Sequence, residues 1–129
     1  MAQQKTGGLA GIVAGQTAIC TVGHEGDDLH YRGYSIYDLA EHAQFEEVAY
    51  LLIYGHLPNS SELSAYCHKL KSLRGLPSAL CTGLQQIPTD AHPMDVLRTT
   101  CSFLGTIEPE TTAHNAREIA DRLLALFPS

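Results

Sequence analysis

Seven histidines and four cysteines in 129 residues are the side chains of this sequence best equipped to bind a metal or act as nucleophile and base. A metal site built on helices needs ligands one turn apart, as in H-x-x-x-H, or Cys/His pairs at short spacing. His24, His30, His42, His56, His68, His92 and His114 offer no such pair. Cys67 and His68 are adjacent, and adjacent helical residues point to different faces. No metal and no cofactor is therefore expected. Cys20, Cys67, Cys81 and Cys101 contain no C-x-x-C and lie in no catalytic-cysteine signature. With no secretory leader before them, they are expected as reduced, mostly buried thiols of a cytoplasmic protein. The glycines of "GGLAG" do not fit a phosphate loop, which needs a strand before it and a helix after it.

The charged candidates are few. Lys69, Lys71 and Arg74 form the only concentrated positive charge. A solvated helix face accounts for them, while their functional reading is attraction of a polyanion such as a di- or tricarboxylate or a nucleotide phosphate. In "AHPMDVLRT" (Ala91 to Thr99), His92, Asp95 and Arg98 are close enough for acid-base work. Simpler roles suffice, with His92 as cap, Asp95 favouring the helix dipole, and Arg98 paired to Asp95. Arg32, within "LHYRGYSIYDLA", could hold an anion. It could equally lock a strand onto a helix by stacking on Tyr31 or Tyr34 and bonding backbone carbonyls or Asp38.

The elements that must position these residues are mostly helical. "GLAGIVAGQTAICTV" and "LHYRGY" read as extended chain around the turn-rich "GHEGDD", a β-hairpin with a longer loop. Met1 to Thr6 read as a frayed start. Ser35 with Asp38 starts a short helix ending near His42. Phe45 to Gly55 is a second helix, apolar nearly all round and so expected to be deeply buried. Asn59 with Glu62 opens a third, carrying Leu63, Tyr66, Cys67, Leu70 and Leu73 at helical spacing and ending at "RGLP". A shorter one is expected from Pro77 to about Gln86. Pro93 begins the next, with a Met94, Leu97, Cys101 and Leu104 stripe up to Gly105. The last runs from Thr111 with Ala116, Ile119, Ala120, Leu123, Leu124 and Phe127 on one face. The expectation is one mainly α unit over residues 1–129 with a short amino-terminal β-hairpin. A helix still strongly apolar at "LLALFPS" reads as part of something longer.

Composition narrows the function. Hydrophobic residues make up 44% and charged residues 17%, which fits a folded domain, and the net charge of -6 argues against nucleic acid. The apolar runs are too short for a membrane span.

The order of motifs says more. "GLAGIVAGQTAICTV", "LHYRGYSIYDLAEHAQFEEVAYLLIYGHLP", "ELSAYCHKLKSLRGLP" and "AHPMDVLRT" with "SFLG" resemble the amino-terminal part of the citrate synthase family over Gly8 to Phe127. "GQTAICTVG", "DLHYRGY" and "AHPMDVLRT" look most like its 2-methylcitrate synthase branch. The resemblance implies a portion of an all-α, homodimeric enzyme condensing acyl-CoA with oxaloacetate, acetyl-CoA giving citrate and propionyl-CoA giving 2-methylcitrate in propionate breakdown. In that family an aspartate removes the acyl-CoA proton, one histidine stabilises the enol, another polarises the oxaloacetate carbonyl, and arginines clamp carboxylates. All of these fall later in the family's sequence, so no residue of this chain is assigned a catalytic role and the chain alone is expected to be inactive. The resemblance suggests one substrate-binding residue, Lys69. The alternatives are a citrate synthase using acetyl-CoA, or a non-catalytic helical interaction module. Helix faces left uncovered would promote self-association.

Overall fold

The computed structural model describes residues 13, 15–22 and 29–129, which group into two compact units, Met1–His56 and Leu57–Ser129. "GGLAG", "GHEGDD" and the expected frayed start lie outside the described residues.

In the first unit, β1 (Cys20–Val22), β2 (Leu29–Tyr31) and β3 (Tyr34–Ser35) form an antiparallel sheet in the order β1-β2-β3. Tyr31 faces Tyr34 across the second ladder, so Arg32 and Gly33 alone make the turn. Their φ angles are 51° and 90°. Two consecutive positive φ values are the mark of a type I′ turn, whose twist matches the strands it joins. The third strand is additional to the hairpin expected from sequence. An Asn-Gly or Asp-Gly pair would have announced it, and arginine in the first turn position conceals it.

Ser35 ends β3 and caps α1 (Ile36–His42), its hydroxyl accepting the Tyr37 N–H at 3.3 Å. Helix α2 (Phe45–Tyr54) opens with a capping box in which Glu47 accepts the Gln44 N–H at 2.8 Å. It stops at Gly55, where φ is 94° and a side chain would be strained. The expected deep burial of α2 holds only for Ala49 and Leu51, and Phe45 stays 64% exposed. Within this unit, seven-residue α1 and a three-stranded sheet offer too little surface to surround a helix apolar on all sides.

The second unit holds α3 (Ser60–Ser72), α4 (Ser78–Leu84), α5 (Pro93–Ile107) and α6 (Ala116–Leu126). Asn59 accepts the N–H groups of Ser61 and Glu62 at 3.0 Å each, and Glu62 answers by accepting the Asn59 N–H at 2.8 Å, which completes the expected box. Helix α5 runs two residues beyond Gly105, since one internal glycine costs only about 1 kcal/mol against alanine. Helix α6 begins later than expected. Asn115 caps it by accepting from Arg117 and Glu118, while Thr111 and His114 close a local turn through Thr111 N–H to His114 carbonyl at 3.0 Å. The stronger cap wins over the earlier threonine.

Leu80, Leu104 and Leu126 form the core of this unit, with Leu76, Leu84, Ile107 and Leu123 packed against them. Each fully buried leucine contributes about 2 kcal/mol. A Cβ on Gly83 would lie 2.6 Å from the Phe103 ring, so glycine is what lets α4 and α5 meet closely there. The four cysteines are free and half-buried, less enclosed than expected. No helix among the described residues is long and apolar enough to cross a membrane.

Candidate functional site

The charges of the second unit converge between its first and last helices. Asp121 on α6 has no solvent exposure, which for a carboxylate demands partners. Tyr66, one turn before Lys69 on α3, donates its hydroxyl to Asp121 Oδ1 at 2.9 Å. Lys69 Nζ donates to Asp121 Oδ2 at 2.7 Å and to Glu118 Oε1 at 3.0 Å. Both carboxylate oxygens of Asp121 are thereby occupied. This places the expected substrate residue Lys69 inside an ion-paired cluster, with its side chain 31% exposed. Lys71 and Arg74, its sequence neighbours in the basic group, are exposed.

One residue further on, Arg122 makes a second junction. Its Nε donates to Glu108 Oε2 at 2.9 Å and its Nη2 to Oε1 at 2.8 Å, a two-pronged pairing that fixes both position and plane. Its Nη1 donates to the carbonyls of Leu73 and Gly75, just past the end of α3. A single guanidinium therefore ties α6 to the exits of α3 and α5. Hydrogen bonding from Arg122 holds the Glu108 carboxyl below the usual glutamate range, with the positive charge of Arg122 and the neighbouring His114 adding to it against partial burial. Glu108 in turn holds Arg122 more firmly protonated. Leu73, Glu108, Pro109, Thr111, His114, Glu118 and Arg122 line an open groove of about 430 Å3 beside this junction.

A second cavity is apolar. Leu76 and Leu84, α5 residues Val96, Leu97, Thr100, Cys101 and Leu104, and the end of α6 through Phe127 and Ser129 enclose about 200 Å3. The Thr100 hydroxyl is committed to the Val96 carbonyl at 2.7 Å, so it offers the cavity little polarity.

The other expected candidates resolve simply. His92 Nδ1 accepts the Met94 N–H at 3.2 Å and caps α5, while Asp95 and Arg98 pair at 3.1 Å on the exposed face. Arg32 donates Nη2 to the Leu52 carbonyl at 2.9 Å, and its backbone N–H to Ile19 at 2.9 Å. That is the locking role, served by a carbonyl near the negative end of α2. Among the described residues no group of three or more His, Cys, Asp or Glu could hold a metal ion. Sequence reasoning passed over Asp121 and Arg122. Their signal was a pair of charges set between Ala120 and Leu123 on an otherwise apolar helix flank.

A family model described as "Citrate synthase, C-terminal domain" matches residues 8–129. The chain belongs to the citrate synthase family. It is 58% identical to a 2-methylcitrate synthase of Shewanella oneidensis over 99% of its own length and 34% of that protein's. Citrate synthase from Thermotoga maritima superposes with a TM-score of 0.79 at 35% identity, over 94% of this chain and 31% of that one. A citrate synthase from Thermoplasma acidophilum, solved with carboxymethyl coenzyme A and oxaloacetate, has the same fold with a TM-score of 0.78 at 24% identity, over 89% of this chain and 31% of that one. The chain thus spans about a third of the length of the relatives it matches.

Proposed function

We propose that the chain is the amino-terminal helical part of a cytoplasmic, homodimeric 2-methylcitrate synthase, which condenses propionyl-CoA with oxaloacetate to 2-methylcitrate and free CoA in propionate catabolism. The observation that carries this reading is the 58% identity to the Shewanella enzyme over 99% of the chain. Identity to the Thermotoga citrate synthase is 35%. Motif order supports the amino-terminal placement. The chain supplies the frame and does not turn over by itself, because the histidines, the aspartate and the clamping arginines of the family's mechanism fall later in the family's sequence.

The test is release of CoA thiol. The 129-residue chain with oxaloacetate and either acyl-CoA should give no rate above background, and measurable turnover would overturn its inactivity. Joined to the remaining two-thirds of the Shewanella enzyme, it should restore condensation of propionyl-CoA with oxaloacetate, and a folded joined protein without turnover would overturn its place in such an enzyme. The full protein encoded by this chain's own gene should favour propionyl-CoA; a preference for acetyl-CoA would make citrate synthase the correct assignment.

Lys69 is proposed as a substrate contact in a restricted form. Asp121 and Glu118 already hold its charge, so a substrate carboxylate must share the ammonium with them. In the joined enzyme, Lys69→Met should raise KM for the anionic substrate several-fold. An unchanged KM with a lowered melting temperature would leave Lys69 a purely structural partner of Asp121.

A further inference from the structure

Arg32 performs its structural task with one nitrogen and leaves the rest of its guanidinium unused. Nη2 holds the Leu52 carbonyl, Nε is buried without a hydrogen-bond partner, and Nη1 donates to nothing among the described residues. Lys69, Arg98 and Arg122 each pair with a carboxylate. Arg32 is half-buried and, among the described residues, pairs with none. A cation withdrawn from bulk water without a counter-charge is unfavourable. A buried donor with nothing to bond is the usual mark of a place for a water or an ion.

The same side chain lines a cavity of about 290 Å3 in the first unit, whose wall includes Thr17, Cys20, Thr21, Gly33 and Gly55 and no carboxylate. Thr17 Oγ1 accepts the Ile19 N–H at 3.1 Å, which leaves its hydroxyl hydrogen for another acceptor. Thr21 brings a second hydroxyl, and the two glycines put no side chain in front of the guanidinium. We propose that this cavity binds a small oxyanion, a carboxylate or phosphate group, which accepts from Arg32 Nη1 and from the threonine hydroxyls. The charge of a guanidinium is shared over its three nitrogens, so an anion at Nη1 also answers the buried Nε. The negative end of α2 does not oppose it, because Nη2 already meets that end at Leu52. A metal cation would be repelled by Arg32, and an apolar group would leave both hydroxyls and the guanidinium unmatched.

Cys20 reports on occupancy, because its half-buried thiol lines the same cavity. The 129-residue chain is treated separately with iodoacetate, itself a carboxylate, and with neutral iodoacetamide, and alkylation is read at each cysteine by mass spectrometry. The ratio of the iodoacetate rate to the iodoacetamide rate should be about fivefold higher at Cys20 than at Cys67, Cys81 or Cys101, since a cation in a cleft concentrates the charged reagent. Acetate or inorganic phosphate, added at constant ionic strength, should slow iodoacetamide at Cys20 severalfold and leave Cys67 unchanged. Protection by acetate alone would assign the cavity to carboxylates, and protection by phosphate alone to phosphates. Arg32→Gln should abolish both the reagent preference and the protection. Thr21→Val keeps a β-branched residue in β1 and leaves the Arg32 turn intact, and it should weaken the protection without removing it. Equal reagent ratios at the four cysteines would overturn the proposal. So would labelling of Cys20 that ignores both anions, or protection that survives Arg32→Gln in a chain of unchanged circular dichroism.

Discussion

Two arginines hold backbone carbonyls in this chain, and they do so under opposite conditions. Arg122 has a carboxylate in a two-pronged pair and two carbonyls besides, so its charge and its donors are met together. Arg32 reaches one carbonyl with its guanidinium, and its Nε is buried without a hydrogen-bond partner. The first closes contacts between residues 49 positions apart; the second secures a turn already favoured by Gly33 at φ 90°. The arginine that carries long-range structure engages all three of its nitrogens, and the one that supports local structure leaves its Nε idle.

The contrast breaks most sharply at Arg122. Arg122→Ala would strand Glu108 and release two carbonyls, which should destabilise the second unit by about 3 kcal/mol. A urea midpoint followed by circular dichroism reads this, and an unchanged midpoint would mean that the junction of α6 with the exits of α3 and α5 does not depend on Arg122. Acid should loosen the same junction next. The Glu108 carboxyl is held below the usual glutamate range, so near pH 4 the unfolded chain binds the proton that the folded chain refuses. Stability is then lost as pH falls through the folded value, and is fully present above the ordinary glutamate value. Glu108→Gln should lower stability at neutral pH and flatten this acid limb; an acid limb as steep as that of the parent would assign it to other carboxylates. The smallest effect is expected at Arg32. Arg32→Asn gives up the bond to Leu52 but places asparagine at φ 51°, which it tolerates better. The two should offset to within about 1 kcal/mol, and a loss as large as that of Arg122→Ala would erase the difference between the two arginines.

Legibility in the sequence followed the same division between local and distant. Ser35, Asn59 and Gly55 act through neighbours within one helical turn, and their caps could be named from residue types alone. The six helices among the described residues were readable for that reason. The third strand was hidden because a type I′ turn normally advertises itself with asparagine or aspartate, and arginine stands there instead. The start of α6 was misplaced because Thr111 and Asn115 are both plausible caps, and only the turn at His114 decides between them. Asp121 and Lys69 lie 52 residues apart, and no local pattern announces which lysine a buried aspartate will meet. The apolar rim at Leu97 and Phe127 was legible as a stripe, while the hole between those residues exists only once three helices converge.

The pairing of Lys69 with Asp121 joins the first helix of the second unit to its last. In polymer terms it turns an open chain into a ring without a covalent bond, and α4 and α5 become the arc between its two feet. Closing an arc of that size has already cost its configurational entropy, so further ordering within it is less expensive than in a free chain. The last helix, which in many domains would be the first to fray, is instead one of the two ends of the clasp.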